Sequence, residues 1–279
     1  SYSNKIKKGR LQSNFTKKKY IEMVKRTKEY IKAGDIYQAN LSQRLSCKLE
    51  ADPWFIYKRL SLINPSPFSA FLNLGDSYIV SSSPERLIKV YGRIIETRPI
   101  AGTRPRGKGK IDKQLEEELI LSEKERAEHI MLLDLERNDL GKVCEYGTVI
   151  PDELMVIEKY SHVMHIVSNI RGVLRPDKDF IDCIIAGFPG GTITGVPKKR
   201  CMEIIEELEP ISRGIWTGSM GYIDFFGKMD LNIIIRTIII KDKMAYLQAG
   251  GGIVADSEPE FEYYETLHKA SALISSITK

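Results

Sequence analysis

The stretch FSAFLNLGDSYIVSSSPERLIKVYGRIIETR, residues 68–98, decides the fold class. Apolar and polar residues alternate within its segments 68–74, 77–82, 86–91 and 93–98, the period of strands that bury one face, so a meander of antiparallel strands is expected. Asn64-Pro65-Ser66-Pro67 punctuates its start. Upstream, Tyr37, Ala39, Leu41, Leu45 and Leu49 alternate with Gln38, Asn40, Ser42 and Arg44, which predicts a half-buried strand with one polar face. Before it lies a helix over 16–33, with Tyr20, Val24, Thr27 and Ile31 on one stripe and Gly34 as its stop; after it comes a short helix near Trp54 to Leu62. Downstream, a helical stretch runs from Lys113 to Asp139, broken near Ser122, where Ser122 and Glu125 form a capping box. Loop and strand material then leads to a helix near 178–187, a glycine-rich loop 187–195 and a helix 198–207. Strands follow at 217–225, 230–240 and 244–249, and a last helix starts at Ser257, with Glu260 as capping-box glutamate and Pro259 in its first turn. Strands in runs, with helices between the runs, argue for an α+β fold over a doubly wound parallel sheet.

The 279 residues, 42% of them hydrophobic, are enough to bury a large core, which excludes disorder and collagen-like repeats. The net charge of +5 is a local effect: eleven Lys/Arg against two acids in residues 1–32 supply +9, and the rest of the chain carries −4. The lysine run 17–19 reads as a solvated helix face, because one basic face without interleaved aromatics is a poor nucleic-acid footprint. No apolar run reaches the roughly 18 residues of a membrane span, and no signal peptide opens the chain. Neither nucleic acid nor membrane is therefore an expected partner. Cys47, Cys144, Cys183 and Cys201 form no CxxC and have no histidine at zinc-ligand spacing, which fits a reducing cytoplasm.

Two glycine loops invite a nucleotide-binding reading. Gly190 to Gly195 has phosphate-loop spacing, but Val196-Pro197 stand where Lys-Ser/Thr would be required; Gly250, Gly252 and Ala255 match GxGxxA but lie too near the end of this sequence for a dinucleotide fold. Each precedes a predicted helix N-terminus, so a small anion remains the expected ligand class. Glu258, Glu262, Glu265 and Lys269 share one sector of the last helix, and from that helix alone an exposed acidic face is the plainer reading. Glu128 falls on a stripe with Leu121, Met131, Leu132 and Leu135, where a buried carboxylate would need a partner or a metal. Acids from two helices, with no nearby Cys or His cluster, suit magnesium. His162 and His165 lie three apart in an apolar run, and spacing leaves open whether either is a core residue or a catalytic one.

Taken together, Gly34-Asp35-Ile36-Tyr37-Gln38, Ser83-Pro84-Glu85-Arg86, Pro99-Ile100-Ala101-Gly102-Thr103-Arg104, Arg126-Ala127-Glu128-His129, Phe188-Pro189-Gly190-Gly191-Thr192, Met229-Asp230, Ile235-Arg236-Thr237 and Ala249-Gly250-Gly251-Gly252-Ile253-Val254 resemble the catalytic region of the chorismate-utilising enzymes. The likeness runs in order from about residue 14 onward. It implies two twisted antiparallel sheets flanked by helices with the site between them. It also implies a single chorismate-binding catalytic domain over residues 1–279, with a basic lead-in at 1–13. The first residue, Ser1, then reads as the sequel of an absent N-terminal portion.

By the same resemblance Glu128 and Glu265 match the magnesium ligands, with Glu262 close to the same shell. Glu85 matches the acid that protonates the departing 4-hydroxyl, and His165 a histidine near the ring. Arg236 and the backbone of Gly250, Gly251 and Gly252 resemble the clamp on the enolpyruvyl carboxylate. Thr192 resembles a loop contact, Trp216 an aromatic wall and Lys269 a charge partner near the metal. Gln38 stands where members that add water resemble one another in carrying a basic lysine; an amide has no such basicity, which points to the branch that adds ammonia. Asn40, the Pro67-Phe68-Ser69-Ala70-Phe71 segment, Trp216-Thr217-Gly218-Ser219 and Met229-Asp230-Leu231-Asn232 look like the aminodeoxychorismate synthase branch. Ala101 departs from that branch, which carries a lysine resembling a covalent nucleophile at this place, and agrees with anthranilate synthases. The expected partners are chorismate, ammonia and a glutamine amidotransferase subunit.

Overall fold

The computed structural model describes residues 5–160 and 163–278; His162 lies outside the described residues. The chain divides into two compact units, one made of residues 1–84, 193–218 and 234–279 and the other of 85–192 and 219–233. The first stretch contributes β1 (Lys7–Lys8), β2 (Gln12–Ser13), α1 (Lys17–Ala33), β3 (Gln38–Glu50), α2 (Pro53–Ile63), β4 (Phe68–Asn73) and β5 (Ser77–Ser83). The middle contributes β6 (Arg86–Tyr91), β7 (Ile94–Arg98), β8 (Ile100–Pro105), α3 (Lys110–Leu121), α4 (Glu123–Gly141), β9 (Ile150–Lys159), β10 (Val163–Val173) and α5 (Phe180–Gly187). After a 3-10 turn at Gly191–Ile193 come β11 (Gly195–Val196), α6 (Lys198–Leu208), β12 (Gly221–Ile223), β13 (Lys228–Asn232), β14 (Thr237–Lys241), β15 (Met244–Ile253) and α7 (Pro259–Ser276).

Each unit is built on one antiparallel sheet, as the α+β reading expects. The first has the order β1-β3-β15-β14-β5-β4, with β2 and β11 also on β3; the second has the order β12-β13-β6-β7-β10-β8, with β9 on β10. The sequence meander is thus corrected: β4 and β5 pair in one sheet, and β6 and β7 pair in the other. The predicted strand 230–240 is likewise two strands, β13 in the second sheet and β14 in the first. The apolar run Ile233-Ile234-Ile235 hides the break, and Arg236 sits in it at φ +50°, a backbone region costly for a residue with a Cβ.

Local signals fix α1 well. The Thr16 hydroxyl accepts the Lys19 N–H at 3.3 Å, and Gly34 at φ +84° closes the other end on the Ile31 carbonyl. On β3, Leu45, Cys47 and Leu49 join Ala245, Leu247 and Ala249 of β15 over a core completed by Ile56 and Leu60 of α2 and Leu273 of α7. Burial of each such Leu or Ile stabilises the fold by about 1.5–3 kcal/mol before entropy is counted. Nearer its start, Ala39 and Leu41 pack with Tyr20 and Val24 of α1 and Ile204 of α6. The polar face expected on this strand is not open to water at Gln38 or Ser42, which are buried, and Gln43, on the opposite face, is buried as well. Burial is tolerated where partners exist: Ser42 hydrogen-bonds to Glu209 through its N–H and its hydroxyl at 2.9 and 2.8 Å, and the Gln43 amide donates to the Thr266 hydroxyl at 2.6 Å. The lysine face of α1 is partly spoken for, since Lys17 pairs with Glu260 and lies over the Tyr264 ring, and Lys28 donates to the Ser257 carbonyl at 2.6 Å. No helix among the described residues is long and apolar enough to cross a membrane, and all four cysteines are buried thiols.

Candidate active site

The first unit gathers the glycine strand, α7 and Arg236. Gly250–Gly252 do not form a loop before a helix; they lie inside β15, paired with Ser42, Leu41 and Asn40 of β3. Beyond Leu247, however, β15 has outrun β14, so β3 is its only strand partner there among the described residues. One backbone edge of the glycines is left for other acceptors and donors, and Lys269 Nζ donates to the Gly250 carbonyl at 3.2 Å. A Cβ on Gly251 would stand 3.4 Å from Glu262 Oε2, 3.8 Å from Lys269 Nζ and 3.9 Å from Glu265 Oε2, so the bare Cα lets these three groups converge on the strand. Arg236 donates to the Lys269 carbonyl at 2.9 Å; burial works against its charged form and the nearby Glu265 charge opposes that.

Helix α7 starts at Pro259 with Glu258 as its N-cap, and the predicted Ser257–Glu260 capping box is absent. Ser257 is used otherwise: its hydroxyl accepts the Val254 N–H at 3.1 Å and supports the Glu262 carboxylate. The exposed acidic face expected from helical spacing is also corrected, since Glu262 is only 3% exposed. Burial first, and then the neighbouring Glu265, push the Glu262 carboxyl up to about 7, while Ser257 and Lys269 pull it down. Its Oε2 is buried without a hydrogen-bond partner. Lys269 is committed to Glu265 at 2.6 Å. A cation beside Glu262 and Glu265 would satisfy the orphaned oxygen and offset the repulsion, and the all-oxygen donor set is that of a hard ion such as magnesium. Among the described residues no group of three or more His, Cys, Asp or Glu is gathered as a ready shell.

Trp216 is buried beside this strand, with Cη2 3.0 Å from the position a Cβ on Gly250 would take. Asn40 Oδ1 lies 2.6 Å from the same position. Gln38 is buried at the start of β3, where its carbonyl accepts from Cys201 Sγ at 3.1 Å.

The second unit holds the remaining predicted residues. Ala101 and His165 are both buried on paired strands, with Ala101 opposite Ile166 and Thr103 opposite His165. The His165 ring meets the Thr103 hydroxyl through Nδ1 at 2.9 Å, which fixes its orientation. Glu85 is buried immediately before β6, and its carbonyl accepts the Ile233 N–H at 3.0 Å. Thr192 lies in the 3-10 turn. Glu128 sits on α4, which packs on β10 and β8, but it is only partly buried, and Leu121 of its expected apolar stripe ends α3 in solvent.

The fully buried member of that helical segment is His129. Its Nε2 lies 2.6 Å from the Ser168 hydroxyl, and burial pushes its pKa down to about 4. Glu125, one helical turn before Glu128, is credited by sequence only with a capping role. Its N–H does bond to Ser122 at 3.3 Å, but its carboxylate pairs with Arg104 at 3.2 Å. The i,i+3 spacing of Glu125 and Glu128 was the available signal.

A buried carboxylate beside a second, Lys269-paired one thus lies next to an open strand edge and a guanidinium. Residues 1–275 match the profile of the chorismate binding enzyme family, and the chain belongs to that family. It is 55% identical over 261 residues to an anthranilate synthase component I-like protein of Synechocystis sp., covering 92% of this chain and 54% of that protein. It is 52% identical over 266 residues to aminodeoxychorismate synthase component 1 of Bacillus subtilis, covering 95% and 57%. The crystal structure of anthranilate synthase component I from Streptococcus pneumoniae TIGR4 superimposes with a TM-score of 0.90 at 39% identity, covering 98% of this chain and 60% of that one. The chain therefore spans somewhat over half the length of the proteins it matches.

Proposed function

We propose that the chain is the catalytic component of an aminodeoxychorismate synthase, converting chorismate and ammonia to 4-amino-4-deoxychorismate for p-aminobenzoate and folate synthesis. Magnesium is its metal, and a glutamine amidotransferase subunit supplies the ammonia. The observation that carries this reading is the convergence of Glu262, Glu265 and Lys269 on the bare Cα of Gly251, with Arg236 tied to the same helix. Chorismate is a dianion, so its site needs positive charge and free backbone groups in one place.

In this reading Glu262, Glu265 and Glu128 hold magnesium, which when bound offsets the charge of the ring carboxylate. Arg236 and the open edge of Gly250–Gly252 take the enolpyruvyl carboxylate, Thr192 contributes a polar loop contact, and Trp216 walls the ring. Glu85, protonated, gives its proton to the 4-hydroxyl, which leaves as water while ammonia supplies the new nitrogen. His165, held through Nδ1, orients the ring or moves a proton. Gln38 cannot deprotonate water, which favours ammonia as nucleophile. The branch-marking residues Asn40 and Trp216 both crowd Gly250, where they bear directly on the substrate clamp.

One observation favours a second reading, anthranilate synthase component I. Ala101 is a buried methyl group on β8 where a lysine nucleophile would be expected of the first branch. Product analysis separates the two. With chorismate, magnesium and an ammonium salt, the protein should give no anthranilate fluorescence, and should give p-aminobenzoate once the partner lyase is added. Anthranilate as the sole product would replace the first reading with the second.

A further inference from the structure

We propose that Arg213, clamped by Glu209, is the positioning residue that sets the plane of the Trp216 ring against the glycine strand. The inference rests on the proposed role of Trp216 as a wall of the chorismate site.

The guanidinium of Arg213 is fixed on several sides. Its Nε and Nη2 donate to the two carboxylate oxygens of Glu209 at 3.0 and 2.7 Å, Nη1 donates to the Ile193 carbonyl at 2.8 Å, and Nη2 also donates to the Asn40 carbonyl at 2.5 Å. Glu209 is itself buried and held, because Ser42 donates to it twice and Gln248 donates to the Ser42 hydroxyl at 2.8 Å. A planar cation with this many fixed donors has one orientation, and its carbon lies 5.0 Å from the centre of the Trp216 ring.

Two features of Trp216 make such a support necessary. The ring borders a cavity of about 260 Å³ that is also lined by Arg213, Ile215, Ile234, Ile239 and Tyr246, so apolar packing is incomplete on that side. Its buried Nε1 has no hydrogen-bond partner, so no polar anchor sets its tilt. The Arg213 guanidinium lies against the ring, and the position of a Cβ on Gly250 lies 3.0 Å from its Cη2. The Asn40 carbonyl that accepts from Arg213 belongs to the residue whose side chain also crowds Gly250, so the clamp fixes the strand and the ring together.

The test uses a Trp54→Phe background, in which Trp216 is the sole tryptophan, and compares Arg213→Lys and Glu209→Gln with the parent. Lysine keeps the charge and can still reach Glu209, but it loses the planar stack and the fork. Arg213→Lys should shift Trp216 emission to the red and raise KM for chorismate about tenfold with kcat within about twofold. Glu209→Gln should move both in the same direction by less. Unchanged emission and KM in a folded variant would overturn the proposal, as would a loss confined to kcat. If Arg213→Lys does not fold, Glu209→Gln is read by the same two criteria. A parent protein whose Trp216 emission does not respond to chorismate at all would sink the proposed function instead, while the emission shift would still test the clamp.

Discussion

Replacing Glu262 by Gln tests the site without requiring turnover. In the folded protein this carboxyl is buried one helical turn from Glu265 and titrates at about 7, above its ordinary 4.5. A raised folded value means that the native state keeps a proton the unfolded chain releases, so stability is lost as pH rises from about 4.5 to about 7 and is flat above. At 1.36 kcal/mol per unit, the loss is about 3 kcal/mol. Glu262→Gln has the same shape and cannot ionise, so in chelator its stability relative to the parent should improve by about that amount between pH 5 and pH 8. Magnesium should cancel most of that gain at the higher pH: at a concentration near 100 Kd it would stabilise the parent by about 2.7 kcal/mol, and the variant by much less. Urea denaturation at the two pH values, with and without magnesium, reads all four states. A variant-to-parent difference that ignores pH would refute the account of Glu262 as a buried carboxyl, and equal stabilisation of both proteins by magnesium would refute Glu262 as a ligand.

Three more outcomes can be checked. Gly195→Ala places a Cβ 2.2 Å from the Gln38 carbonyl oxygen at φ +128°, and should cost about 3 kcal/mol or more in urea denaturation; a cost below about 1 kcal/mol would mean that β11 is free to move. Burial depresses His129 to about 4, so its contribution is complete above about 6.5 and fades as pH falls toward 4, with up to about 3 kcal/mol lost; His129→Gln should flatten that part of the stability profile, and an unaltered profile would count against it. Glu85→Gln should reduce kcat on chorismate about 100-fold or more with little change in binding, and equal losses in both would leave it as a substrate-positioning group.

Elements written by neighbours in sequence were legible from sequence. Thr16 and Gly34 delimit α1 through contacts three residues away, and the alternation of β3 survives in its second half, from Arg44 to Glu50, while β5 is buried on both faces. The metal-type acids on α7 were legible as a sector, but the burial of Glu262 was not, because it depends on the close approach of β15 at Gly251. The split of 230–240 into β13 and β14 was hidden because three isoleucines carry no turn signal, and only the pairing of each half with a different sheet separates them. The Glu209–Arg213–Trp216 stack depends on Ser42, Ile193 and Gln248, which are far apart in the chain, so no local pattern announces it.

The first sheet is interrupted by the whole of the second unit. A ribosome that has released residues up to 233 has delivered every strand of the second sheet, while β14 and β15 are still missing from the first. Until they arrive, β3 and β5 each lack a lateral neighbour, and such bare edges are templates for pairing between chains. The nascent protein therefore passes through an interval in which one half can close and the other must be shielded. The acids of α7 emerge only after that interval, so a nascent chain that still lacks β14 and β15 also lacks the proposed metal ligands on α7.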